Sequence, residues 1–239
     1  MNALTQNPLW FTTRACGTIA LVLLTASVVV GIASAGRFAP RTLGRFEVAA
    51  LHRNLSVLAL AFLAMHILTA LADSYVPLNW FSALIPFVSP YRTLWVGLGT
   101  VAFDVLLAVA ITSAVRLRIG LRRWKAVHLS AYAAWPLAIF HGAGTGTDTK
   151  LGPQLLLYAG CVAAVMITCW WRLYGAGPGR VAARAWSAVA VGALPLVLFA
   201  FLSAGPLAPG WSHRAADITV TAPAIPPDGP VNSLSPERQ

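Results

Sequence analysis

Six apolar stretches of about 20 residues run along the chain, separated by short connections that carry most of its charge. About 20 apolar residues form a helix long enough to cross the roughly 30 Å hydrocarbon core of a bilayer. The pattern therefore predicts an all-α, polytopic membrane protein: a six-transmembrane-helix bundle within residues 1–204. The six predicted spans lie near residues 15–35, 48–72, 95–115, 125–143, 154–173 and 186–204.

Residues 205–239 have a different composition from the spans, with seven prolines and few large apolar side chains. Such a segment buries too little apolar surface to offset the entropy of ordering it. We expect a disordered, Pro-rich tail. His213 lies in this tail and is expected to be solvated rather than to bind a metal.

Composition and charge give the orientation of the spans. The chain is 58% hydrophobic and 10% charged, whereas a soluble domain has roughly 25% charged residues. The net charge of +10 does not indicate nucleic acid, because the basic residues are concentrated in the connections after the first, third and fifth spans. By the positive-inside rule these connections are cytoplasmic. The expected location is the plasma (inner) membrane, multi-pass, with both termini extracytoplasmic.

Four of the five histidines lie in two of the predicted spans. His52 and His66 share the second span, and His128 and His141 share the fourth. A polar side chain at membrane depth is costly unless it has a partner, so each of them is a candidate functional residue. His52 and His128 follow basic connections at the inner ends of their spans. His66 and His141 lie at the outer ends, about 20 Å further along each helix.

Two histidines from different helices at the same depth have the chemistry to supply both axial ligands of one heme iron. The arrangement predicts two b-type hemes, one on His52 and His128 and the other on His66 and His141. No CxxCH sequence is present, so we expect non-covalent heme. The two irons would lie about 20 Å apart along the helices, in the inner and outer halves of the membrane.

The angular relation of the histidines differs between the two spans. Fourteen residues separate His52 from His66, which returns a regular helix to within about 40° of the same face. Thirteen residues separate His128 from His141, which ends about 220° round the helix. Either a kink at Pro136 restores a common face, or the two hemes are rotated relative to each other.

A proton or metal-ion transporter that uses the same histidines without heme is the alternative from another class. Transport generally requires acidic residues near the membrane midplane, and the acid well inside a predicted span is Asp104. A di-iron bundle would require Glu-x-x-His pairs, which the sequence does not contain.

Further residues are candidates for supporting the hemes. Arg53, Arg116, Arg123 and Lys125 lie near the expected inner heme, either paired with its propionates or as ordinary positive-inside anchors. Trp135 lies midway between His128 and His141, either as a stepping point for electrons or as plain packing.

The spacings His52-x13-His66 and His128-x12-His141 resemble the ferric reductase-like transmembrane domain. So do His52-Arg53, Thr112-Ser113 with Arg116, and the RxGxRxWxxxH pattern at 118–128. That domain occurs in NADPH oxidases, yeast-type ferric reductases and the heme subunit of the periplasmic methionine-sulfoxide reductase system. The resemblance covers about residues 10–175 and implies a diheme core that moves electrons outward.

Arg14 resembles the arginine that follows an aromatic residue in the corresponding helix of the oxidases. The resemblance implies that Arg14 holds the outer heme propionate or stabilises an anionic species formed at the outer face.

The sequence departs from the oxidases in having no apparent flavin or nicotinamide domain. It contains no soluble stretch of 100–200 residues and no GxGxxG. The expected donor is a separate cytoplasmic flavoprotein or membrane quinol, and the acceptor is a ferric chelate, oxygen or an extracytoplasmic partner protein. The chain would then be the electron-transfer subunit of an oxidoreductase. Arg92, Asp148 and Lys150 are candidates for contacting the outer partner.

Overall fold

The computed structural model describes residues 8–35, 44–73, 78–175 and 181–211. Within these ranges the chain is helical and contains no strand. A short 3-10 helix, Thr147–Lys150, lies between α7 and α8. The α-helices are α1 (Pro8–Ala35), α2 (Arg45–Ala72), α3 (Trp80–Leu84), α4 (Thr93–Ala114), α5 (Arg116–Ile119), α6 (Leu121–Leu129), α7 (Ala131–Thr145), α8 (Gly152–Tyr174) and α9 (Val181–Ala204).

Five helices in the described part of the chain are long and apolar enough to cross a membrane. They are α1, α2, α4, α8 and α9. The expectation of an all-α, multi-pass membrane protein is confirmed at this level. The fourth predicted span, residues 125–143, is divided between α6 and α7, and neither piece alone has the length of a crossing. A sixth crossing therefore stays a prediction.

The division between α6 and α7 lies at Ser130. Its dihedral angles remain helical (φ −65°, ψ −17°), but its N–H bonds to the Val127 carbonyl, three residues back, at 3.0 Å. The Ser130 hydroxyl donates to the same carbonyl at 2.6 Å. A tightened turn of this kind changes the direction of the side chains that follow. Pro136, the position of the expected kink, lies within α7.

The helices pack as antiparallel pairs, α1 along α2 and α4 along α7. Hydrogen bonds from Thr13 to Thr69 (2.9 Å) and from Ser27 to Ser56 (2.7 Å) join the two ends of α1 and α2. A buried cluster fills the space between α1, α7 and α8. It includes Leu21, Ile32, Trp135, Ile139, Ala143, Tyr158, Cys161 and Val162.

The first residues of the predicted tail pack on the bundle. Residues 205–211 form turns after α9, and the Trp211 ring lies 6.0 Å from Trp95 and 6.3 Å from Phe201. Pro206 is fully buried. The packed part of the chain thus extends beyond residue 204. The remainder of the predicted tail, with His213, lies outside the described residues.

Ile139 belongs to the buried cluster between α1, α7 and α8, and only 1% of its surface is exposed. Its replacement therefore tests how much this cluster contributes to stability. We expect Ile139→Ala to lower the free energy of unfolding by about 2–5 kcal/mol, because the lost contacts leave a cavity and van der Waals packing drives helix association in membranes. The matched control is Ile167→Ala on α8, where the side chain is 69% exposed. The measurement is thermal unfolding of both variants in the same detergent. Equal losses of Tm would contradict the assignment of the core.

Candidate functional site

A large cavity lies between α1, α2, α4, α6 and α7, with a volume of about 1940 Å³. Its walls include His52, His66, His128 and His141. The four histidines of the two predicted pairs therefore surround one continuous space.

The four rings meet as two pairs across this cavity. The ring centroids of His52 and His128 lie 6.1 Å apart, with planes inclined by 72°. Those of His66 and His141 lie 6.2 Å apart, inclined by 82°. We call these the inner pair and the outer pair, after the sides that the charge pattern predicts. The two members of each pair come from two different helices, as expected for histidines that lie at the same depth in the membrane.

Three of the four imidazoles bond through Nδ1 to a backbone carbonyl. A carbonyl oxygen only accepts hydrogen bonds, so these Nδ1 atoms carry the proton and Nε2 keeps its lone pair. The structure thus selects the same tautomer at three positions. The contacts are His52 with Ser27 O at 2.9 Å, His66 with Thr13 O at 2.7 Å, and His141 with Trp95 O at 2.9 Å.

Each accepting residue is followed four positions later by a glycine that the same ring contacts. A Cβ on Gly17 would lie 2.8 Å from His66 Nδ1, and a Cβ on Gly31 would lie 3.2 Å from His52 Cε1. A Cβ on Gly99 would collide with the His141 ring. We call each combination of an accepting carbonyl and the glycine four residues later a carbonyl seat. The three seats are Thr13/Gly17, Ser27/Gly31 and Trp95/Gly99.

His128 has different surroundings from the other three. Its ring packs against the Trp124 ring at a centroid distance of 5.0 Å, with planes inclined by 32°. The Trp124 indole N–H donates to the Ser113 hydroxyl at 3.2 Å. His128 Nδ1 is buried and has no hydrogen-bond partner within the described part of the chain.

The basic residues expected near the inner pair divide into two groups. Arg53, Arg116 and Lys125 line the cavity on the side of His52 and His128. Their side chains are exposed, as is that of Arg123. Arg123 is not among the residues that line the cavity.

Arg14 lies within α1, because this helix begins at Pro8 rather than near residue 15. Its Nε lies 2.5 Å from Asp148 Oδ2, and its guanidinium carbon lies 4.7 Å from the centre of the Trp10 ring. Arg14 and Asp148 both line the cavity. Arg14 directly follows Thr13, whose carbonyl bonds to His66.

Trp135 is buried in the helix packing. It is 2% exposed, and its indole N–H donates to the Thr25 hydroxyl of α1 at 2.9 Å. It belongs to the core cluster with Ile139 and does not line the histidine cavity.

The candidates for an outer partner make contacts within the chain. Asp148 pairs with Arg14. Arg92 donates through Nη1 to the Gly144 carbonyl. Lys150 Nζ lies 3.4 Å from the Ala208 carbonyl. Each of these side chains thus contacts another segment at this end of the bundle.

Sequence reasoning missed the carbonyl seats. A signal was present, because Thr13 and Ser27 are 14 residues apart, as are Gly17 and Gly31, which matches His52 and His66. Groups of three or more His, Cys, Asp or Glu side chains that could share a metal do not occur among the described residues.

Comparison with known proteins gives the family. Residues 16–139 match the family model described as "Ferric reductase like transmembrane component". The match includes His52, His66 and His128 and ends just before His141. The magnetosome protein MamZ of Paramagnetospirillum magneticum is 29% identical over 182 residues, which cover 75% of this chain and 26% of MamZ.

The chain spans about a quarter of the length of that relative. No solved structure gives a significant match. The family match covers more than half of the residues, includes three of the four cavity histidines, and agrees with the multi-pass helical fold. This chain belongs to the ferric reductase-like transmembrane component family.

Proposed function

We propose that this protein is a diheme b-type membrane cytochrome that carries electrons outward across the membrane. His52 and His128 would ligate the inner heme, and His66 and His141 the outer one. The observation that carries the proposal is the meeting of four imidazoles as two ring pairs in one cavity.

The separation of the rings fits a metal between them. A metal–imidazole bond is about 2.0–2.1 Å long. With the ring centre a further angstrom or so beyond each nitrogen, two imidazoles on opposite sides of one metal have centroids about 6.3 Å apart. The observed separations are 6.1 and 6.2 Å. Two rings that pack directly on each other, without an intervening atom, can have centroid separations as short as about 4.5 Å. The observed separations are longer than that minimum.

The size of the cavity and the histidine tautomers support the same conclusion. Single-ligand pockets have volumes of about 300–1,000 Å³, so about 1940 Å³ is suitable for two large cofactors. Donation from Nδ1 to a carbonyl leaves the Nε2 lone pair available to a metal and raises the basicity of the ligand. This arrangement holds for His52, His66 and His141.

A heme held by each pair would supply a one-electron redox couple. Around it, Arg53, Arg116 and Lys125 line the inner part of the cavity, where their charges are suited to carboxylate propionates. Arg123 would act from the exposed surface of α6. At the other end Arg14 would hold a propionate or an anionic product, with Asp148 fixing the orientation of its guanidinium.

The direction of transfer and the partners follow from the charge pattern and the family. We propose six crossings, with α6 and α7 together forming the fourth, in the plasma (inner) membrane with both termini extracytoplasmic. Electrons would enter from a cytoplasmic flavoprotein or quinol. They would leave to a ferric chelate, oxygen or an extracytoplasmic reductase, making the chain the electron-transfer subunit of an oxidoreductase.

The first test is heme content. We expect protein purified after heme-replete expression to contain about two b-type hemes per chain by pyridine hemochrome, because each bis-histidine pair holds one. Absence of heme would overturn the proposal and favour the proton or metal-ion transporter. In the structure Asp104, the acid of that alternative, does not line the histidine cavity.

Transfer across the bilayer is the second test. Vesicles containing the protein are loaded with dithionite, and reduction of external ferricyanide is followed. We expect reduction to require heme-loaded protein and to stop in the double variant His66→Ala/His141→Ala. As a stepping point for electrons, Trp135 should be needed for the full rate, so we expect Trp135→Phe to slow the reaction at unchanged heme content, with Trp170→Phe as the control. Equal rates in both tryptophan variants would leave Trp135 as packing.

A further inference from the structure

The carbonyl seats follow a spacing that predicts where a fourth seat would lie. On α1 the two seats, Thr13/Gly17 and Ser27/Gly31, are 14 residues apart, and they hold the two histidines of α2. On α4 one seat, Trp95/Gly99, holds His141. The same interval along α4 leads to Val109/Ser113, which line the inner part of the cavity.

This fourth position is occupied by the protein's own side chains. Ser113 stands where a seat has glycine, and its hydroxyl accepts the Trp124 indole N–H at 3.2 Å. The Val109 carbonyl lies 3.2 Å from the Thr112 hydroxyl. A carbonyl seat like the other three is therefore not available to His128. Its ring rests on Trp124 instead, with Nδ1 unbonded within the described residues.

The helix that carries His128 is also the shortest of the histidine-bearing helices. α6 has 9 residues and lies between Gly120, at φ +84°, and the Ser130 turn. By contrast, His52 and His66 are on the 28-residue α2, and His141 is on the 15-residue α7. A short helix with an interrupted end has fewer contacts to hold its side chains in place.

We infer that His128 is the displaceable axial ligand, so that the inner site, unlike the outer one, binds a small neutral ligand such as carbon monoxide in place of an imidazole. The inference rests on the proposed function. Loss of the outer partner of a ligating histidine typically reduces metal affinity 10–100-fold. His128 lacks the carbonyl partner that His52, His66 and His141 have.

The lining of the inner site includes exposed side chains. Leu121, Trp124 and Lys125 line the cavity beside His128, and the Leu121 and Lys125 side chains are exposed. The outer end differs, because Arg14 and Asp148 are paired there and the Thr13 and Trp95 carbonyls hold both rings.

The test is a carbon monoxide titration of dithionite-reduced protein that has been shown to contain two hemes. We expect the absorbance change to correspond to about half of the heme, because one of the two sites opens. The inner-only variant His66→Ala/His141→Ala should retain the change. The outer-only variant His52→Ala/His128→Ala should lose it.

Trp124→Phe provides a second measurement on a protein with all four histidines. It keeps a ring against His128 and removes the bond to Ser113, so we expect tighter carbon monoxide binding at unchanged heme content. Trp80→Phe, at a 66% exposed position on α3, is the control.

Two hemes with no carbon monoxide uptake, or uptake by both hemes or by the outer-only variant, would overturn the inference. The diheme proposal would stand in each case. Protein without any heme would overturn both.

Discussion

Replacing His66 with alanine is expected to reduce the heme content from about two to about one per chain. One imidazole remains in the outer pair, so the outer iron would lose one of its two protein ligands and part of the binding energy that they supply. The inner pair lies about 21 Å away along α2, so its heme should be retained. The measurement is pyridine hemochrome against protein concentration, together with the reduced-minus-oxidised spectrum.

Two further variants make this result specific. His52→Ala should produce the converse, with loss of the inner heme and retention of the outer one. His213→Ala, in the predicted tail, should retain both hemes. Unchanged heme content in both His66→Ala and His52→Ala would contradict the ligand assignment, whatever the fate of the His213 variant.

Replacing Gly17 with alanine is expected to weaken or abolish binding of the outer heme by steric displacement alone. The added Cβ would lie 2.8 Å from His66 Nδ1, closer than van der Waals contact allows, so the ring must leave the Thr13 carbonyl. Gly31→Ala should have a smaller effect on the inner heme, because its Cβ would lie 3.2 Å from the His52 ring. Heme content and Tm are measured for both variants.

Gly160→Ala on α8 is the matched control, because nothing lies within 4 Å of a Cβ at this position. It should keep both hemes and gain up to about 1 kcal/mol of stability from the better helix propensity of alanine. Selective loss of the outer heme in Gly17→Ala would support the seat, whereas loss of both hemes would indicate general misfolding. An unchanged outer heme would contradict the role of Gly17.

The family match includes the glycines of all three carbonyl seats. The family match begins at residue 16 and ends at residue 139, so Gly17, Gly31 and Gly99 are within it, whereas Arg14 and His141 are outside. The proposed outer site thus combines matched and unmatched parts of the chain. Arg14, Asp148 and His141 are the side chains to vary when the outer acceptor is sought.

Much of the architecture could be read from local sequence. Apolar runs of membrane length predicted the long helices, and five of the six expected spans appear as such. Hydropathy is a local property, and a helix satisfies its own backbone wherever the apolar run is long enough. The positions of His52, His66, His128 and His141 within these runs also predicted their pairing by depth.

Tertiary structure decided what local spacing left open. The 13-residue interval between His128 and His141 does not return to one helix face, and the structure interrupts the helix between them at the Ser130 turn, with Pro136 inside α7. Proline has a recognisable effect on a helix, whereas a serine that tightens one turn has no comparable sequence signature. Both rings consequently line the same cavity.

The sequence by itself determined an all-α membrane protein with four paired histidines, because hydropathy and residue type act locally. It did not determine which atoms hold those histidines. Every residue has a carbonyl, and only the packing of α1 on α2 and of α4 on α7 selects Thr13, Ser27 and Trp95 as acceptors. The packing of α1 against α7 and the 3-10 helix pairs Arg14 with Asp148 and buries Trp135 against Thr25. These contacts join residues far apart in the chain, so their geometry exists only in the folded protein.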